Sequence, residues 1–159
     1  MKYDPLPRWR DKIKKNESLF EEALNYFNKE IECAHRDLLL DGNLSEITKN
    51  HSYYLSRYLM NAKDIEGLVS YFRNRVAQTE SEVLKEILNN PPTNTVPGVH
   101  ERSKIAQADP RVIEMRSNLE EIEYIDKLYE AIIEAWAQRG YSISQLNKLI
   151  EHNNMDAEI

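Results

Sequence analysis

Residues 55–83 read LSRYLMNAKDIEGLVSYFRNRVAQTESEV, and one register in this stretch decides the fold. Leu55, Ala62, Val69, Val76 and Val83 share one heptad position, and Tyr58, Ile65, Phe72 and Thr79 the position three residues later. Eight of these nine are apolar or aromatic, the repeat of a coiled-coil seam. Asn43 followed by Glu46 resembles a capping pair, and no proline interrupts the chain from there to Pro91. The spacing predicts a helix of about 45 residues, roughly 68 Å long at ~1.5 Å per residue. A chain of 159 residues cannot wrap such a rod. Part of the seam must meet another helix, from this chain or from a second copy.

N-terminal to this rod, Leu19, Phe20, Ala23, Leu24, Phe27 and Ile31 recur at helical spacing. They predict an amphipathic helix from an Asn16 cap to about Leu40, and Asp41-Gly42 signals a turn. Residues 1–15 hold Pro5 and Pro7 and no clean period, which predicts a flexible basic arm. Together with 16–90 they form the N-terminal part. C-terminal to the rod, residues 91–98 (Pro91-Pro92-Thr93-Asn94-Thr95-Val96-Pro97-Gly98) form a linker. In 99–152, Asp109-Pro110 opens a helix with an acidic N-cap and a first-position proline. Its stripe is Met115, Leu119, Ile122, Ile125, Tyr129, Ile132, Ile133 and Trp136, and Gly140 reads as its C-cap. A short helix follows from Ser142, with Leu146, Leu149 and Ile150 as its apolar face, and 153–159 reads as a frayed tail. The expected class is all-α: long helices with coiled-coil-like seams in a hairpin or bundle.

Composition agrees. Only 4 residues are Gly and 6 are Pro, against 30% charged, which disfavours turn-rich β folds and glycine-lined phosphate loops. One cysteine, Cys33, excludes an intramolecular disulfide framework or a multi-cysteine zinc site. No apolar run approaches the ~18 residues that span a bilayer, and the N-terminus lacks the apolar core of a secretory signal, so a cytoplasmic protein is expected. The net charge of −6 hides an asymmetry. Lys2, Arg8, Arg10, Lys12, Lys14 and Lys15 face only Asp4 and Asp11 within residues 1–15, a basic leader on an acidic body.

Catalytic patterns are missing from the sequence. Cys33 and His35 point to different sides of a helix. His100-Glu101 opens like a zinc-protease motif, yet position 104 is lysine. Glu120, Glu121 and Glu123 read as a solvated face. No enzyme, metal or cofactor is expected. Aromatic and basic residues do alternate: Tyr53, Tyr54 and Tyr58 with Arg57, Tyr71 and Phe72 with Arg73 and Arg75, and Arg8-Trp9-Arg10. Binders of single-stranded nucleic acid stack bases on rings and meet phosphates with guanidinium groups. The competing reading places Tyr58 and Phe72 in the seam, with arginine stems covering its edge; Tyr53 and Tyr71 are then the candidate exposed rings.

Glu101-Arg102-Ser103-Lys104 through Ala108-Asp109, a long striped helix, and then Ala135-Trp136-Ala137-Gln138-Arg139-Gly140-Tyr141-Ser142-Ile143 resemble the UvsY recombination mediators of tailed phages. The similarity covers roughly residues 50–150. It implies a helical homo-oligomer that binds single-stranded DNA. Such a protein helps load a RecA-like recombinase onto strands coated by a single-stranded DNA-binding protein, in the host cytoplasm. The family places basic residues for DNA near the end of the long helix, where Lys85 lies. The DNA-contact expectation is therefore Arg57, Lys63, Arg73, Arg75, Lys85, Arg102 and Lys104. The expected oligomerisation stripe is Met115, Leu119, Ile122, Ile125, Tyr129, Ile132 and Trp136. The alternative is a coiled-coil adaptor or phage assembly factor that binds no nucleic acid. A third possibility, an acidic DNA mimic that inhibits a nuclease, would act through Glu120, Glu121 and Glu123. Placement of the seven cations separates the first two: a shared groove favours the mediator, and dispersal among carboxylates the adaptor.

Overall fold

A computed structural model describes residues 6–40, 43–91 and 96–156, the last four by their backbone alone. The described residues are mostly helical and contain no strand. The helices are α1 (Trp9–Ile13), α2 (Phe20–Asp37), α3 (Leu44–Asn89), α4 (Val99–Gln107) and α5 (Pro110–Asp156), with one 3-10 turn (Glu17–Leu19) before α2. Three of the predicted starts hold. Asn16 Oδ1 accepts from the Ser18 amide at 3.2 Å, Asn43 Oδ1 from the Glu46 amide at 3.0 Å, and Asp109 Oδ1 from the Arg111 amide at 2.9 Å. Each satisfies a donor that the first helical turn leaves unpaired.

α3 and α5 form an antiparallel hairpin. Asn61 meets Tyr129, Arg73 meets Glu123, Arg116 meets Glu80 and Arg111 meets Glu86, so position falls along one helix as it rises along the other. α2 lies antiparallel to α3 and completes three layers over half of the rod, with Glu30 at Arg57 and Glu17 at Arg75. The other half is the hairpin alone with α4 beside it, around a small core of Val83, Ile87, Ala106 and Val112.

All nine residues of the heptad register are buried or half-buried. Asn61 and Leu68, one position before the register, are buried as well. The extra position has a physical reason: α3 faces both α5 and α2, and two neighbours require an apolar stripe wider than a single seam.

Three expectations are corrected. α5 does not end at Gly140, and Ser142 does not start a new helix; one helix runs through both to Asp156 and includes part of the expected tail. Glycine here makes room, since a Cβ at Gly140 would stand 2.9 Å from His51 Nε2. Residues 9–13 are not a loose arm. Trp9 and Ile13 are buried in the main core, and the amides of Trp9 and Arg10 donate to Asp64 of α3 at 2.6 and 3.2 Å. Asp64 thus caps α1 from another helix, opposite the partial positive charge of its first turn. Gly67 admits the Arg10 side chain across α3. The third correction is the α5 stripe. Met115, Ile122, Ile125, Tyr129, Ile132 and Trp136 are buried, and Leu119 and Ile133 pack beside them, all within the single chain. The rod meets its own hairpin partner, so these residues are not the exposed oligomerisation surface expected of them. Asp41, Gly42 and residues 92–95 of the linker lie outside the described residues.

Candidate functional site

The seven basic positions do not form one groove. Arg57 on α3 makes a forked pair with buried Glu30 of α2, Nε to Oε2 and Nη2 to Oε1 both at 2.7 Å. This pair raises the guanidinium pKa above its ordinary value. Asn61 joins the same carboxylate at 3.4 Å and also reaches the hydroxyls of Tyr26 and Tyr129. The network ties α2, α3 and α5 in one register, because each buried polar group finds its partner only in that alignment. Arg75 pairs with Glu17 at 2.6 Å, and the Tyr71 hydroxyl donates to the same carboxylate. Burial opposes ionisation of Glu17, yet these two donors win and hold its carboxyl below the usual range. Arg73 pairs with Glu123 and Lys63 with Glu66, each at 2.6 Å on the surface. Lys85 and Lys104 are exposed and Arg102 is half-buried, and none of the three is in an ion pair among the described residues. Lys85 on α3 and the two α4 cations share the hairpin's far end, where Ile105 and Ala106 meet Val83 and Ile87.

The tyrosines are mostly structural. Tyr54 and Tyr58 stack on Trp136, each at 5.8 Å and 30°. Tyr53 lies edge-on to Tyr54 at 5.3 Å, and Tyr71 is held by Glu17, so neither is an open platform. Among the described residues the exposed aromatic rings are Tyr124 and Tyr141, which helical spacing does not single out. Trp9 of the Arg8-Trp9-Arg10 arm is a packing anchor beside Tyr26. Cys33 Sγ accepts from Arg36 at 3.2 Å, and His35 is exposed. Among the described residues no cluster of His, Cys, Asp or Glu could hold a metal ion, and no helix is long and apolar enough to cross a membrane.

The Arg139-Gly140 segment acquires a packing role. Arg139 is buried, donates to the Leu38 and Leu39 carbonyls at 3.2 and 3.4 Å, and lies 4.8 Å from the Trp136 ring centre. It closes the C-terminus of α2, where carbonyls lack helical partners. His51 Nδ1 lies 3.2 Å from Arg139 Nη1, and its ring is 5.3 Å from Trp136. No family model, curated protein or solved structure matches this chain.

Burial, and then the Arg139 charge, push the His51 pKa below its ordinary 6.5. The unfolded chain takes up this proton near pH ~6.5, while the folded chain resists until lower pH. Below that point the unfolded state binds more protons, so stability falls with pH until the folded His51 titrates. The urea midpoint of the wild type is expected to drop between about pH 7.5 and about pH 5. His51→Asn, which keeps an acceptor for Arg139, is expected to flatten that drop. Equal slopes in the two proteins would remove His51 as its source.

Proposed function

We propose that this chain is a non-enzymatic mediator of the UvsY type. It binds single-stranded DNA and helps load a RecA-like recombinase onto strands covered by a single-stranded DNA-binding protein, in the host cytoplasm. One observation carries the reading. Arg-Gly-aromatic is ordinary helix-ending chemistry, but here it lies inside an unbroken helix. Arg139 and Gly140 are engaged by the end of α2 and by His51, while Tyr141 is exposed, so generic capping does not account for the first two positions of the motif. In the other stretch that carries the resemblance, Asp109 caps α5.

Within this reading the DNA surface narrows to Lys85, Arg102 and Lys104. The other four cations are already matched to carboxylates. Oligomer contacts move from the buried stripe to apolar residues that the single chain leaves exposed, such as Leu146, Leu149 and Ile150 near the end of α5. Several copies, each with a weak cationic surface, bind a strand tightly through multivalency. Charge placement favours the adaptor reading: Arg57, Lys63, Arg73 and Arg75 are dispersed among carboxylates and form no groove with the other three cations.

Anisotropy of a labelled oligothymidylate separates the two readings. Binding is expected at about 50 mM salt and should weaken steeply by about 200 mM, as displaced counterions require. Combined Lys85→Glu, Arg102→Glu and Lys104→Glu substitutions should cost about tenfold or more in affinity and lower the salt slope. No binding at about 50 mM salt sinks the mediator and leaves the adaptor.

A further inference from the structure

Docking of α1 builds a cleft of about 460 Å³ against the outward face of α3. Its apolar walls are Leu6 and Pro7 on one side and Leu59 and Met60 on the other. Leu59 is 41% and Met60 59% exposed. They lie on a side of α3 that α2 and α5 leave open, where a solvated face would carry polar residues. The volume is within the range of ligand-binding clefts, ~300–1,000 Å³.

The rim carries a small positive excess, three cations to two carboxylates. Arg8, Arg10 and Lys63 border the cleft, and residues 8–15 carry five basic side chains against Asp11 alone. Two carboxylates also line it, Asp11 and Asp64. Both Asp64 oxygens are taken by the backbone amides of Trp9 and Arg10. Asp11 lies 3.7 Å from Arg10, a long contact between half-exposed groups; Lys12, which sits 4.3 Å from the Trp9 ring centre, Lys14 and Lys15 follow it in sequence outside the cleft lining. Lys63 shares Glu66 in a surface pair, the kind that water and salt weaken.

We propose that this cleft binds an acidic peptide segment bearing apolar side chains, contributed by a protein partner. Leucine-like side chains enter between Leu6-Pro7 and Leu59-Met60, and the flanking carboxylates meet Arg8, Arg10 and the lysines beyond. Met60 is suited to such a contact, since its unbranched thioether adapts to the shape it meets. The chemistry fits a peptide better than a nucleic-acid strand. Sequence-tolerant strand binding uses exposed rings as stacking platforms, and no aromatic side chain lines the cleft. The nearby Trp9 is turned into the core.

The test uses the full chain and three labelled probes: a short Glu/Asp peptide carrying a pair of leucines, the same peptide with serines in their place, and an oligothymidylate. The leucine peptide is expected to bind about tenfold tighter than the serine peptide. Met60→Glu is expected to reduce leucine-peptide binding by about tenfold or more with an unchanged melting temperature, because the side chain is exposed. The Lys85→Glu, Arg102→Glu, Lys104→Glu variant should bind the peptide as the wild type does, which keeps this result separate from that of the DNA surface. Equal binding of the two peptides would reduce the rim to general charge attraction and overturn the proposal. So would an oligothymidylate that displaces the peptide and is itself weakened by Met60→Glu.

Discussion

Ile125→Asp is expected to unfold the chain, and not to separate folded subunits. Ile125 is 2% exposed in the main apolar core, where an ionised carboxylate is cut off from water. Burying an unpaired charge costs several kcal/mol, or the group takes a proton and still loses the apolar contacts of isoleucine. Domains of this size are stable by only about 5–15 kcal/mol, so one such substitution consumes much of the total. Circular dichroism together with sedimentation decides the outcome. Loss of helicity and of a cooperative melt is expected. A variant that keeps full helicity while sedimenting as a smaller species would show that Ile125 faces a second copy, against the packing described here.

Trp136→Ala carries the next largest expected effect. The indole is fully buried and gathers four partners: the Tyr54 and Tyr58 rings, the His51 ring and the Arg139 guanidinium. Removing a buried tryptophan costs about 3–5 kcal/mol through lost burial and the cavity left behind. Arg139 would also lose the ring on which it lies, loosening its hold on the end of α2. Trp136→Phe gives an informative contrast. The indole N–H is buried without a hydrogen-bond partner, so phenylalanine keeps much of the apolar contact and removes an unsatisfied donor. Its cost should be well below that of alanine. Denaturant midpoints of the three proteins check this order, and equal losses for both variants would deny Trp136 its place at the centre of the cluster.

The long helices were legible because their information is local and repeated. Tyr58, Ile65 and Phe72 recur every seven residues over several turns, and Asn16, Asn43 and Asp109 each act within three positions of themselves. Gly140 was misread because glycine after a long stripe looks the same whether it ends a helix or admits another side chain; the deciding neighbour, His51, is distant in sequence. Residues 9–13 are too few to show a period, so Trp9 and Ile13 gave no helical signal. The basic–aromatic alternation around Arg57, Arg73 and Arg75 was real as a pattern. Their carboxylate partners come from α2, α5 and the turn before α2, and local spacing contains no record of them.

The unbroken course of α3 makes it a ruler. Met60 at the cleft and Lys85 at the far end of the hairpin belong to one helix, and the residues between them rise by about 38 Å at ~1.5 Å each. The α5 partner braces that span against bending. A ligand held at the cleft and a strand held at the hairpin end would therefore be kept apart at a set distance, neither touching nor drifting. Inserting a whole number of helical turns into α3 and α5 together would lengthen the gap while leaving each surface intact.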